Sequence, residues 1–287
     1  MTNPFADAVT AYGQGDYAAA LRLFRSVAEE GDASARYNVG FLYETGRGVA
    51  QDDAEALTWY RMAAAQGYAS AQHALGVMYG SGRGVPQDPV EAAKWFRLAA
   101  DQNHAGAQYH LAVRYRTGHG VPQDGAEALK WYRRAADRGH AGARHNLGVM
   151  YGSGRGAPAD DAEAAKWFRK AADQNHAGAQ YNLGAMYDRG RGVPQNDIEA
   201  AKWYGAAASQ GHASAQYNLA LMYESGTGVP QSHVEAHKWL RLAAAGFAEA
   251  RTSQRDAALE KLADIGAQMA PAELARAQRL VDDWRPK

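Results

Sequence analysis

A strict 36-residue period is the strongest constraint on this chain. Six segments restate one pattern without an insertion, beginning at Ala35, Ala71, Ala107, Ala143, Ala179 and Ala215: ARYNVGFLY, AQHALGVMY, AQYHLAVRY, ARHNLGVMY, AQYNLGAMY and AQYNLALMY. Trp59, Trp95, Trp131, Trp167, Trp203 and Trp239 mark a second register with the same period. A repeated unit of this length buries its apolar side only against its neighbours, so the 287 residues are read as a stack and not as a count of globular domains.

The pattern inside one unit predicts two helices. Ala71, Leu75, Met78 and Tyr79 recur at i, i+4, i+7 and i+8, one face of a helix, here helix A; Gly76 leaves room for close packing. Ala92, Trp95, Phe96, Ala99 and Ala100 repeat that spacing after a loop and define helix B. The intervening GSGRGVP (Gly80 to Pro86) invites comparison with a phosphate-binding loop. A phosphate loop of that kind follows a strand, opens a helix and carries Gly-Lys-Ser/Thr; this one follows a helix, lacks the lysine and recurs in every unit. It is a connector: Gly82 is placed to end helix A in the left-handed conformation, and Asp88 with Glu91 three residues later predicts a capping box for helix B. The same pair recurs at Asp52/Glu55, Asp124/Glu127, Asp160/Glu163, Asn196/Glu199 and Ser232/Glu235.

Composition removes several functions. There is no cysteine, hence no disulfide, thiolate metal site or cysteine nucleophile, and 31 basic residues balance 31 acidic ones. A nucleic-acid partner is not expected from a neutral chain, and the basic row Lys94, Arg97, Lys130, Arg133, Lys166, Arg169, Lys202, Lys238 and Arg241 has carboxylates at i−3 or i+4, such as Glu91 for Lys94 and Asp101 for Arg97. No run approaches the ~18 apolar residues of a membrane span, and no basic-then-apolar leader opens the sequence. The expectation is cytoplasmic, with a periplasmic or secreted location as the alternative if a signal peptide was removed.

In composite, A.YNLG.MY..GRGVPQD..EA.KW.R.AA.QGHA.AQ, the units resemble Sel1-like repeats, a branch of the tetratricopeptide superfamily, over residues 33–250. The resemblance implies an all-α fold, an α/α right-handed superhelical solenoid whose A helices line a concave face and whose B helices form the convex one. It implies a scaffold or adaptor that binds a protein or an extended peptide, with no catalytic residue, cofactor or metal; a monomer is expected. Residues 1–32 resemble a shortened tetratricopeptide-like cap, with Leu23 where tryptophan would stand. Residues 251–287 are expected to form a two-helix cap split at Ala270-Pro271: Arg251 replaces the repeat-opening alanine, and Leu259, Leu262, Ile265, Leu274, Ala277, Leu280 and Trp284 are available to cover the last repeat.

By the same resemblance, Tyr37, His73, Tyr109, His145, Tyr181 and Tyr217 form a stripe in the groove; packing of helix A is the alternative role. Beside it lie Asn38, His110, Asn146, Asn182 and Asn218, with Ala74 in the remaining unit. Asparagine at the similar position of relatives bonds the backbone of an extended peptide, and bracing of helix B is the competing use. One unit is unusual in carrying Arg114, Arg116 and His119; Arg116 is a candidate for pairing with a peptide carboxylate, or for an ion pair inside the repeat. His104, His140, His176 and His212 share a turn register. Ligands must sit about 2 Å from one metal, whereas equivalent positions in stacked repeats lie about 10 Å apart, so these are expected to be half-buried turn residues. The competing functional class is a structural or oligomerisation spacer making contacts through its caps or its tryptophan layer, and a hydrolase assembled in the groove is the remote third.

Overall fold

A computed structural model describes residues 3–247 and 252–286, and among them every regular element is a helix. Arg251 lies outside the described residues. Two compact units share the chain, Met1–His140 and Ala141–Lys287. The first holds α1 (Pro4–Gly13), α2 (Tyr17–Glu29), α3 (Ala33–Thr45), α4 (Asp53–Ala65), α5 (Ala69–Ser81), α6 (Pro89–Asp101), α7 (Ala105–Thr117) and α8 (Gly125–Asp137). The second holds α9 (Ala141–Ser153), α10 (Asp161–Ala172), α11 (Ala177–Arg189), α12 (Asp197–Ser209), α13 (Ala213–Ser225), α14 (His233–Gly246), α15 (Thr252–Gln268) and α16 (Pro271–Asp282). In each unit every helix up to α15 packs on its neighbours in sequence, the A–B hairpins of an all-α solenoid.

In four of the repeats the hairpin is tight because helix A carries glycine (Gly40, Gly76, Gly148 and Gly184) where helix B carries a ring; α7 has Ala112 there, opposite Tyr132. A Cβ on Gly76 would stand 2.6 Å from the Phe96 ring, and one on Gly148 2.6 Å from Phe168. The loop uses its two glycines differently. The first of each pair, such as Gly82 or Gly190, ends helix A at positive φ, as expected. The second rests on the backbone of the preceding repeat: a Cβ on Gly84 would lie 2.4 Å from the Asp53 carbonyl oxygen, and one on Gly192 2.1 Å from that of Asp161.

The helix B start corrects the expected capping box. The N-cap side chains do bond the first turn, as Asp88 Oδ1 accepts from Val90 N–H and Glu91 N–H, both at 2.9 Å. The glutamate does not reach back. The N-cap amide instead donates to the last turn of helix A (Asp88 N–H to Tyr79 C=O, 2.9 Å), which frees the carboxylate. That carboxylate accepts from the next turn's indole, Glu55 from Trp59 and Glu127 from Trp131 at 3.0 Å each, or pairs with lysine, Glu91 with Lys94 at 2.9 Å. Among the described residues Arg97 makes no ion pair with Asp101. It donates to Tyr115 Oη and lies 5.0 Å from the centroid of Trp131 in the following repeat. The indoles are thereby walled in: Trp131 is 1% exposed and Trp203 8%, so tryptophan faces are not the outer surface of the B layer.

Helices α15 and α16 both pack on α14, and Leu262, Ile265, Met269, Leu274, Ala277, Leu280 and Trp284 join the apolar cluster of the last repeat. Leu259 does not; it points outward at 43% exposure. Beneath α15 sits His237, buried, with Nδ1 unpaired and its ionisation suppressed, first by burial and then by Arg241. The same register holds Leu57 and Leu129 in earlier repeats. Replacing His237 by Leu is expected to stabilise the chain by about 1 kcal/mol, since it removes an unsatisfied buried polar group. The urea midpoint of α15–α16 unfolding, followed by amide exchange, reads this out; a lowered midpoint contradicts it.

Candidate functional site on the A-helix face

The Tyr/His stripe is half-buried and works first as mortar. Except for Tyr217, whose helix B counterpart is Leu240, each ring packs on a helix B ring of its own repeat, with Tyr37–Tyr60 centroids 5.5 Å apart and His145–Phe168 5.7 Å. Five of the six also meet the residue before the next A helix: Tyr37 lies tilted against Tyr68 at 5.4 Å, while His73 stacks on His104, Tyr109 on His140, His145 on His176 and Tyr181 on His212, at 4.7, 4.4, 4.7 and 4.7 Å. Those turn histidines have a further role that the sequence reading missed. His104, His176 and His212 are N-caps, their Nδ1 atoms accepting from Ala107, Ala179 and Ala215 N–H at 3.2 Å. Asp32, in the same register, does this at 2.7 Å for α3, and was the available signal. The described residues contain no group of His and carboxylates arranged to hold a metal ion.

Burial, reinforced by His104, His110 and His140, pushes His73 down to about 3. His110, stacked 4.9 Å from Phe96, falls to about 4 through burial and the Arg114 charge. His145 falls to about 4 through burial and His176. These side chains are neutral packing elements at pH 7.

The asparagine register is partly committed to the scaffold. Asn38 Nδ2 donates to Ser34 C=O at 2.9 Å, and Asn182 Nδ2 lies 3.1 Å from His145 Nε2. Arg116 is exposed and donates from Nε to the Tyr132 hydroxyl at 3.3 Å, within its own repeat. This last contact belongs to a set sixteen residues apart. Glu44 and Asp188 accept from the Tyr60 and Tyr204 hydroxyls, at 2.5 and 3.1 Å; burial first, and then these carboxylates, raises both phenols above their usual range. Where the helix B ring is Phe96 or Phe168, with no hydroxyl to satisfy, helix A has Gly80 or Gly152.

Three cavities open on this face, at seams between A helices of one unit. Val9, Tyr12, Phe24, Tyr37, Asn38 and Phe41 surround about 240 Å³ in the first unit. In the second, Asn182 borders about 250 Å³ over Gly152 and Phe168, and Tyr181, Tyr217 and Asn218 border about 330 Å³ beside α15. The sequence reading missed the register of Phe41, Val77, Val113, Val149, Ala185 and Leu221, one turn beyond the stripe. Apolar residues on the polar side of a helix were its signal, and Val149 is 41% exposed.

The family model of the Sel1 repeat matches residues 33–68, 69–104, 105–140, 141–176, 177–212 and 213–246. The chain belongs to the Sel1 repeat family. A Sel1 repeat protein from Oxalobacter formigenes is 31% identical, with a TM-score of 0.77 over 85% of this chain and 97% of the other. A protective antigen of uropathogenic Escherichia coli strains that displays this fold is 24% identical, covering 98% of this chain and 83% of its own, at a TM-score of 0.40. Immunity protein Pa5087 from Pseudomonas aeruginosa is 21% identical over 82% of each chain, at 0.43. Among curated proteins none matches the chain. Sel1 repeat proteins are generally protein-interaction scaffolds, and no described helix here is long and apolar enough to cross a membrane.

Proposed function

We propose that this Sel1 repeat chain is an adaptor that holds an extended segment of a partner protein along the A-helix face of its repeats. The observation that carries the reading is that each unit has cavities at its A-helix seams, each bordered by an aromatic or an asparagine, with outward apolar groups such as Val9 and Val149 lining two of the three. Rings locked by stacking and caps locked by hydrogen bonds give the face a fixed shape before a partner arrives, which lowers the ordering cost of association. The fold is one that typically carries no catalysis, and the reading requires none. The spacer alternative gains no support from the tryptophan layer, whose rings are nearly all buried.

Tyr181 and Asn182 are poor test positions because they also hold the repeats together. Val113, on α7, and Val149, on α9, are better ones. Peptides selected from a displayed random dodecamer library on the intact chain are expected to lose at least about ten-fold in retention on the Val113→Lys, Val149→Lys double variant, with helicity unchanged. Undiminished retention overturns the proposal.

A further inference from the structure

The seam between α9 and α11 holds a socket that is filled in the equivalent seam between α5 and α7. Gly152 lies in the last turn of α9, and a Cβ built on it would meet only the Ala164 methyl, at 3.7 Å. Packing therefore does not require glycine there, and glycine costs helix stability relative to alanine. In α3, α7 and α11 this register carries Glu44, Arg116 and Asp188, each reaching over its tyrosine. Gly80 is the other glycine of the register, and its space is taken. Arg114, one repeat on, lays its guanidinium 5.8 Å from the Phe96 centroid, and a Cβ on Gly80 would lie 2.5 Å from the Arg114 guanidinium. Where α7 has Arg114, α11 has Met186, and about 250 Å³ is left open over Phe168.

The filled seam shows what shape fits: a flexible aliphatic stem against the ring, with a planar ionic head. The rim of the open one sets the opposite sign of charge. Thr117 and His119 of the filled seam correspond to Arg189 and Arg191. Arg191 is neutralised by Asp161, at 2.7 and 3.2 Å, whereas Arg189 makes no ion pair among the described residues. We infer that the Gly152 socket takes a glutamate side chain of an acidic peptide segment, its methylenes on Phe168 and its carboxylate on Arg189. The inference rests on the adaptor reading above and specifies the chemistry of one of its subsites.

The test uses the full chain labelled with ¹⁵N and three pools of acetylated, amidated nonapeptides with Glu, Gln or Lys fixed at the centre. The Glu pool is expected to shift the Val149, Gly152 and Arg189 amides, and the Gln pool to do so about ten-fold more weakly, as loss of a charge-assisted contact implies. Arg189→Glu, an exposed change that leaves the core intact, should remove the preference for Glu, and Gly152→Leu should abolish the shifts. Equal response to Gln or Lys, or Glu-pool shifts that survive Gly152→Leu, overturns the socket and leaves the adaptor reading standing. Shifts nowhere on the A-helix face would overturn both.

Discussion

Substituting alanine for Gly192 is expected to cost about 3 kcal/mol or more, while the same change at Gly190, two residues earlier in the same loop, costs about 1 kcal/mol. Both glycines have positive φ, +65° and +69°, so a strained left-handed backbone is common to the pair. The difference lies in what a methyl would touch. At Gly190 the nearest atom is Gln195 Cβ, at 3.3 Å, on a side chain that can shift. At Gly192 it is the Asp161 carbonyl oxygen, at 2.1 Å, in the first turn of α10. That backbone yields only if the two repeats separate. Because the loop joins one repeat to the helix before it, the loss should appear as early opening of the α10–α11 seam by amide exchange, together with a lower urea midpoint. Equal costs at the two positions would refute the assignment of the second glycine to inter-repeat packing.

Mild acid should loosen the repeats. His73, His110 and His145 are held at about 3, 4 and 4 by burial, below the ~6.5 of an exposed imidazole. The unfolded chain therefore takes up these protons first as pH falls. Stability is full above about pH 6.5, declines below it, and levels off only near the folded values of 3 to 4. At pH 5 the loss reaches up to about 2 kcal/mol per histidine, an upper limit because each ring keeps some solvent contact. Other repeats show what replaces them: Tyr in the register of His73 and His145, Asn in that of His110. The His73→Tyr, His110→Asn, His145→Tyr variant should show a clearly shallower fall of the urea midpoint between pH 7 and pH 5 than the parent, the remainder coming from His104, His176 and His237, whose ionisation burial also suppresses. Parallel profiles would show that other groups set the acid limit.

Much of the fold is legible because its determinants lie within a few residues of one another. Asp88 caps the turn it precedes, Gly82 ends the helix it follows, and Ala92, Phe96 and Ala99 share a face by spacing alone. The contacts that were missed connect registers far apart in the chain. Glu55 reads as half of a capping box until the amide it should meet is found bonded to helix A, after which Trp59 is its natural partner. His104 reads as a turn residue, although Asp32 in the same register names the capping role. The pairing of Glu44, Arg116 and Asp188 with tyrosine, and of Gly80 and Gly152 with phenylalanine, was present at sixteen-residue spacing. It became interpretable only once helix B was seen to place its ring under helix A. Arg114 was legible as an anomaly, but its resting place on Phe96 depends on the gap between neighbouring A helices, which no local pattern encodes.

The central claim, that partners lie on the A-helix face, is tested most directly by a photo-crosslinking residue placed at one position at a time. Val113, Val149 and Leu221 sample that face, and Leu98 and Ile198 sample exposed apolar positions of helix B. With library-selected peptides, adducts should form from the first three positions and not from the last two. Adducts confined to Leu98 and Ile198 would contradict the account.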